Sequence, residues 1–109
     1  MSNEPANNST KSFLDDLTKI ELGTLHDRKI TLFGVPDDHI TTTILRTKTF
    51  YEGSLLTSLE SFVGAGDLVV DVGANIGNHA IFLAVSRNTR VVAFEPQPQI
   101  AEVLQRNVE

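Results

Sequence analysis

The 109 residues are enough for one domain at most, and 40% apolar with 21% charged residues excludes a wholly disordered chain. Nine Lys plus Arg against 14 Asp plus Glu give a formal net charge of −5, which argues against a general binder of nucleic acid or an anionic membrane, since that needs a basic face. No cysteine is present, which removes disulfides, thiolate metal sites and cysteine nucleophiles.

Residues 1–12 read as a flexible polar tail with no apolar core of the kind a signal peptide requires, and no apolar run reaches the ~20 residues of a membrane helix. Asn8-Ser9-Thr10 fits a glycosylation acceptor, but without an export signal that match carries no weight and the expected location is cytoplasmic. Residues 13–66 form a mixed lead-in. Phe13, Leu14, Leu17 and Ile20 predict a short helix. The β-branched and aromatic run 29–35, ending at Pro36-Asp37-Asp38, predicts a strand. Asp37 or Asp38 would cap a helix over 40–47, although Thr41, Thr42 and Thr43 weaken that prediction. Leu55, Leu56, Leu59, Phe62 and Val63 have the spacing of an amphipathic helix ended by Gly64 and Gly66.

Residues 67–109 alternate more sharply. The apolar run 68–72 predicts a parallel strand buried on both faces, followed by a glycine-containing turn from Gly73 to Gly77. A helix over 78–87 carries Ile81, Phe82 and Val85, and a second strand occupies 90–95. Pro96 stops that strand, and Pro98 suits the first turn of a last helix through Ile100, Val103, Leu104 and Val108. The pattern is strand–helix–strand–helix, one βαβ unit plus a helix.

The chemistry concentrates at the strand ends, where open α/β sheets bind ligands. Gly73 allows a sharp exit from the strand, and Gly77 lets the helix begin where a side chain would clash with the sheet. The N-terminus of that helix offers free N–H groups and a positive dipole end. Glu95 lies 22 positions after Gly73, close to the ~20-residue spacing at which an acid meets ribose hydroxyls. The loop reads Asp71-x-Gly73-x-Asn75-x-Gly77 rather than G-x-G-x-x-G. Asp71 beside a pyrophosphate would be repelled, whereas beside an ammonium group it would be favoured. S-adenosylmethionine carries a ribose and an ammonium group but no phosphate, and so matches these charges better than NAD does. Asn75 is among the few non-glycine residues that tolerate positive φ.

DVGANIGNHAIFLA, VVAFEPQP and QRNVE closely resemble the start of the S-adenosylmethionine-dependent methyltransferase domain of the FkbM family, and Phe50-Tyr51-Glu52 resembles its lead-in. The resemblance spans about residues 38–109. It implies an α/β, Rossmann-like class I methyltransferase fold, here limited to the first βαβα unit, and methyl transfer to a hydroxyl of a small molecule or sugar. Asp71, Gly73, Ala74, Asn75, Gly77 and Asn78 would line the cofactor's methionine end, and Glu95 would bind its ribose. The family's later strands, with an Asp-x-Glu-Gly region, are missing from this sequence, so it reads as an N-terminal fragment or truncated product. No catalytic residue and no metal ligand is assigned.

The plainer readings stand beside these. Asp71 could cap the turn, and Glu95 could be a solvated strand end. His79 reads first as a surface or packing histidine, and only second as a group near the cofactor. Tyr51 and Glu52 fold back over the cofactor, or pack as a loop aromatic with a solvent-facing acid. His26 and His39 lack partners at metal-ligand spacing. Two rival functions remain: a noncatalytic truncated remnant, and an NAD-dependent oxidoreductase half-domain.

Overall fold

The computed structural model describes residues 13–109, so the tail expected over 1–12 lies outside the described residues. A 3₁₀ turn at Phe13–Asp16 leads into strand β1, Thr18–Leu25, which pairs antiparallel with β2, Arg28–Gly34. The sequence predicted a helix through Ile20. Instead Ile20 lies inside β1, opposite Leu32, and both are buried. Four apolar residues fit either period over so short a run, and cross-strand pairing with β2 decides in favour of the strand. His26 and Asp27, both at positive φ, make the two-residue turn whose twist suits a hairpin, and the register shifts between Glu21 and Gly23.

Helix α1, His39–Thr47, packs Ile44 against Ile20, Ile30 and Leu32. Asp38 is its cap, accepting the Ile40 N–H at 3.0 Å. The threonines are accommodated because Thr42 and Thr43 turn their hydroxyls onto the His39 carbonyl, at 3.1 and 2.7 Å. Thr41 faces the core against Gly34, where there is no room for a side chain.

Helix α2, Gly53–Glu60, stops short of the expected Val63. The N–H groups of Ser61, Phe62 and Val63 bond three residues back. That tighter winding rotates Phe62 out of the apolar stripe, leaving it 82% exposed.

Strands β3, Leu68–Val72, and β4, Arg90–Phe94, pair in parallel around helix α3, Asn78–Arg87. Helix α4, Pro98–Val108, begins on Pro98 and buries Val103 and Leu104. Together these elements make a mixed α/β architecture of two small two-stranded sheets and four helices. No helix among the described residues is long and apolar enough to cross a membrane.

The expectation that 68–72 is buried on both faces is corrected. Val69, Asp71, Val91 and Ala93 are half-buried, while Leu68, Val70, Val72, Val92 and Phe94 alternate with them onto an open face. Val72 is 80% exposed and Phe94 55%. The connecting helix supplies only one covering layer, whereas a parallel sheet of this composition is suited to two.

Two outcomes follow from this packing. Gly34→Ala will push a methyl into Thr41 and lower stability by about 1–3 kcal/mol in urea unfolding. A Val72→Thr, Phe94→Thr double variant will reduce concentration-dependent association in light scattering without changing the circular dichroism spectrum, because both side chains lie on the open face.

Candidate functional site

The loop after β3 is folded by its own backbone. Gly73 (φ 77°) and Ala74 both donate N–H bonds to the Phe94 carbonyl, each at 2.9 Å, which ties the end of β3 to the end of β4. Asn75 adopts φ 54°, the left-handed conformation its side chain permits. Its Oδ1 accepts the Ile76 N–H at 2.9 Å. Gly77 stands at φ 100° as the cap residue of α3. The obstacle to a side chain at Gly77 is Leu104 of α4, whose Cδ1 would lie 2.9 Å from an added Cβ, rather than the sheet.

Glu95 closes the loop from β4. Its Oε1 accepts the Asn75 N–H at 2.8 Å and its Oε2 accepts the Gln97 N–H at 3.1 Å. Each carboxylate oxygen retains acceptor capacity beyond one bond, so this geometry is compatible with hydroxyl donors of a ligand. Asp71, near the end of β3, is half-buried, with Oδ2 shut off from solvent and without a hydrogen-bond partner. A buried carboxylate oxygen left unbonded is costly and is relieved by any cation or donor that reaches it.

Asn78 begins α3 and is buried, and its amide serves a different segment. Oδ1 accepts the Tyr51 N–H and Nδ2 donates to the Tyr51 carbonyl, both at 2.8 Å. This clamp lays residues 50–52 beside the first turn of α3. The Phe50 ring meets Phe82 edge-on at 5.2 Å, and Tyr51 meets His39 edge-on at 5.8 Å. Glu52 Oε1 lies 3.1 Å from His79 Nε2, close enough for an ion pair when the imidazole is protonated, though not aligned as a hydrogen bond.

Asn107 supports the same loop from behind. Its Oδ1 accepts the Phe33 N–H at 2.7 Å, and its Nδ2 donates to the Phe33 carbonyl at 2.9 Å and to the Ile76 carbonyl at 2.7 Å. One side chain thereby joins β2, α4 and the glycine loop, and Arg106 adds a cation–π contact 4.2 Å above the Phe33 ring. Sequence reasoning assigned Asn107 no role. A signal was available, because Asn107 follows Val103 and Leu104 by four and three positions and so puts a primary amide on the apolar face of the helix.

Asp71, Gly73, Ala74, Asn75, Gly77, Asn78 and Glu95 thus meet where β3 and β4 end, and Tyr51, Glu52 and His79 adjoin them. His26 occupies the hairpin turn and His39 the start of α1. No cluster of metal-ligating side chains occurs among the described residues. A cleft of about 510 Å³ bordered by Arg28, Ile30, Ala84, Val91 and Arg106 shares no residue with the 73–77 loop. Compared with protein-family models, curated proteins and solved structures, the chain gives no match.

Replacing Asn107 tests the support directly. Asn107→Ala strands the Phe33 and Ile76 groups and will cost about 1–3 kcal/mol in urea unfolding. Asn107→Asp will cost at least as much, since it turns a carboxylate oxygen onto two carbonyl oxygens.

Proposed function

We propose that the chain is the S-adenosylmethionine-binding N-terminal part of a class I methyltransferase with a Rossmann-like fold, of the FkbM type, working in the cytoplasm on a hydroxyl of a small molecule or sugar. The observation that carries this reading is the Glu95 carboxylate at the end of β4, bonded to the Asn75 N–H of a glycine loop that leaves the adjacent parallel strand. A ribose diol donates two hydrogen bonds, and an acid at a strand end beside such a loop is suited to accept them. The charge pattern favours the same ligand. Asp71 keeps a carboxylate oxygen without a hydrogen-bond partner near the strand end, and that negative charge favours an ammonium group nearby and opposes a pyrophosphate.

The residues present fit the cofactor in role. Glu95 would orient the ribose, and the loop from Gly73 to Gly77 would let the ligand approach the backbone closely. The first turn of α3, which no side chain caps, would present N–H groups to the amino-acid carboxylate. The bound sulfonium would supply an electrophilic methyl group. The work of these residues is to hold the cofactor so that an acceptor oxygen can lie in line with the C–S bond. No side chain here is assigned as the base that takes the acceptor's proton.

Calorimetric titration of the chain with S-adenosylhomocysteine and with NADH tests the reading. Binding of S-adenosylhomocysteine with no heat from NADH is the expected outcome. Binding of NADH alone would favour an oxidoreductase half-domain, and binding of neither would favour a noncatalytic remnant.

A further inference from the structure

Glu52 stands in an unusual position for an acid. It is the cap residue of α2 at φ 59°, ψ 47°, a left-handed conformation that favours glycine, and its side chain makes no capping bond. An acid at a helix N-terminus ordinarily accepts one of the free N–H groups of its own helix. Here the side chain is directed instead to His79, in the first turn of α3, two residues beyond Gly77. The backbone is fixed there by Asn78, which holds both polar groups of the preceding Tyr51. Two adjacent residues of α3, Asn78 and His79, therefore hold a carboxylate beside that helix's first turn, while Glu95 brings another to the glycine loop from the β4 side. Glu52 Oε1 lies beside His79, and with 46% of its side chain exposed the residue can still accept an incoming donor.

We propose that Glu52 is a specificity-determining residue of this site, accepting the ammonium group of a ligand's α-amino-acid tail while the uncapped first turn of α3 takes the tail's carboxylate. The proposal rests on the cofactor reading above and goes beyond it, because it assigns direct contact with the ammonium group to the segment ahead of α2, Asp71 acting on that group only through its charge. The charges are complementary at both points: an anion faces the ammonium, and free N–H groups with a positive dipole end face the carboxylate. His79, whose Nε2 lies 3.1 Å from Glu52 Oε1, is a positioning residue in this arrangement when its imidazole is protonated.

The test compares two ligands that share the nucleoside and the thioether but differ in the tail. S-adenosylhomocysteine carries the amino acid, and 5′-methylthioadenosine carries only a methyl group. The wild-type chain should prefer S-adenosylhomocysteine. Glu52→Gln should weaken S-adenosylhomocysteine about tenfold, the scale of one charge-assisted hydrogen bond, and leave 5′-methylthioadenosine within about twofold. Glu52→Gly serves as the folding control. It relieves the left-handed backbone, so its melting temperature should equal or exceed that of the wild type while the preference for the amino-acid tail is still lost. Unchanged affinity for S-adenosylhomocysteine in both variants would overturn the proposal. So would equal loss for both ligands, which would mark Glu52 as merely structural. If the wild-type chain binds neither ligand, the cofactor reading fails and this proposal fails with it; a wild type that binds both ligands equally overturns the proposal alone.

Discussion

The primary amide of Asn107 is the constraint on which the rest of the structure depends. The hairpin of β1 and β2 and the unit of β3, α3, β4 and α4 are separate sheets, with no strand pairing between them. Asn107 offers Phe33 an acceptor and a donor, much as a neighbouring strand would, and spends its second N–H on the Ile76 carbonyl in the glycine loop. Its three bonds are of ordinary length, and at about 1 kcal/mol each their net worth is modest. Their effect is geometric, because they fix where the hairpin, the last helix and the loop stand relative to one another.

A second asparagine repeats the device on the other side of the loop. Asn78 holds both polar groups of Tyr51 as Asn107 holds both of Phe33, so the loop is supported from α4 and in turn supports the segment ahead of α2. Between the two, Gly73, Asn75 and Gly77 at positive φ turn the chain from the strand end into α3, and the loop's own N–H groups are spent on the Phe94 and Ala74 carbonyls, Asn75 Oδ1 and the Glu95 carboxylate. The same loop meets the carboxylate of Glu95 and lies close to those of Asp71 and Glu52. Negative side chains stand there beside the uncapped first turn of α3, and a zwitterion with a neutral sugar suits that pattern better than a phosphate does.

Much of this was legible in the residues. The loop glycines, the positive φ of Asn75, the extent of α3 and the start of α4 at Pro98 each have a local cause: a missing Cβ, a short polar side chain, an apolar period or a fixed φ. Glu95 was singled out by its spacing from Gly73, and its carboxylate does bond the loop at the Asn75 N–H. What escaped depended on distant partners. The strand over Ile20 exists because Leu32 lies opposite it, and the early end of α2 depends on a tightening of three hydrogen bonds that no spacing reveals. Asn107 and Phe33 are 74 positions apart, and nothing local to either announces the other. The one-sided burial of β3 and β4 was equally invisible, since an apolar strand reads alike whether it is covered on one face or on two.

The proposed function requires that the ends of β3 and β4 bind S-adenosylmethionine. The most direct measurement is a ¹⁵N-resolved titration of backbone amides with S-adenosylhomocysteine. The largest shifts should fall on residues 71–79 and on Glu95, with a second group at Tyr51 and Glu52 and little change in the hairpin turn at His26 and Asp27. Shifts confined to the cleft beside Arg28 and Arg106, or absent altogether, would contradict it.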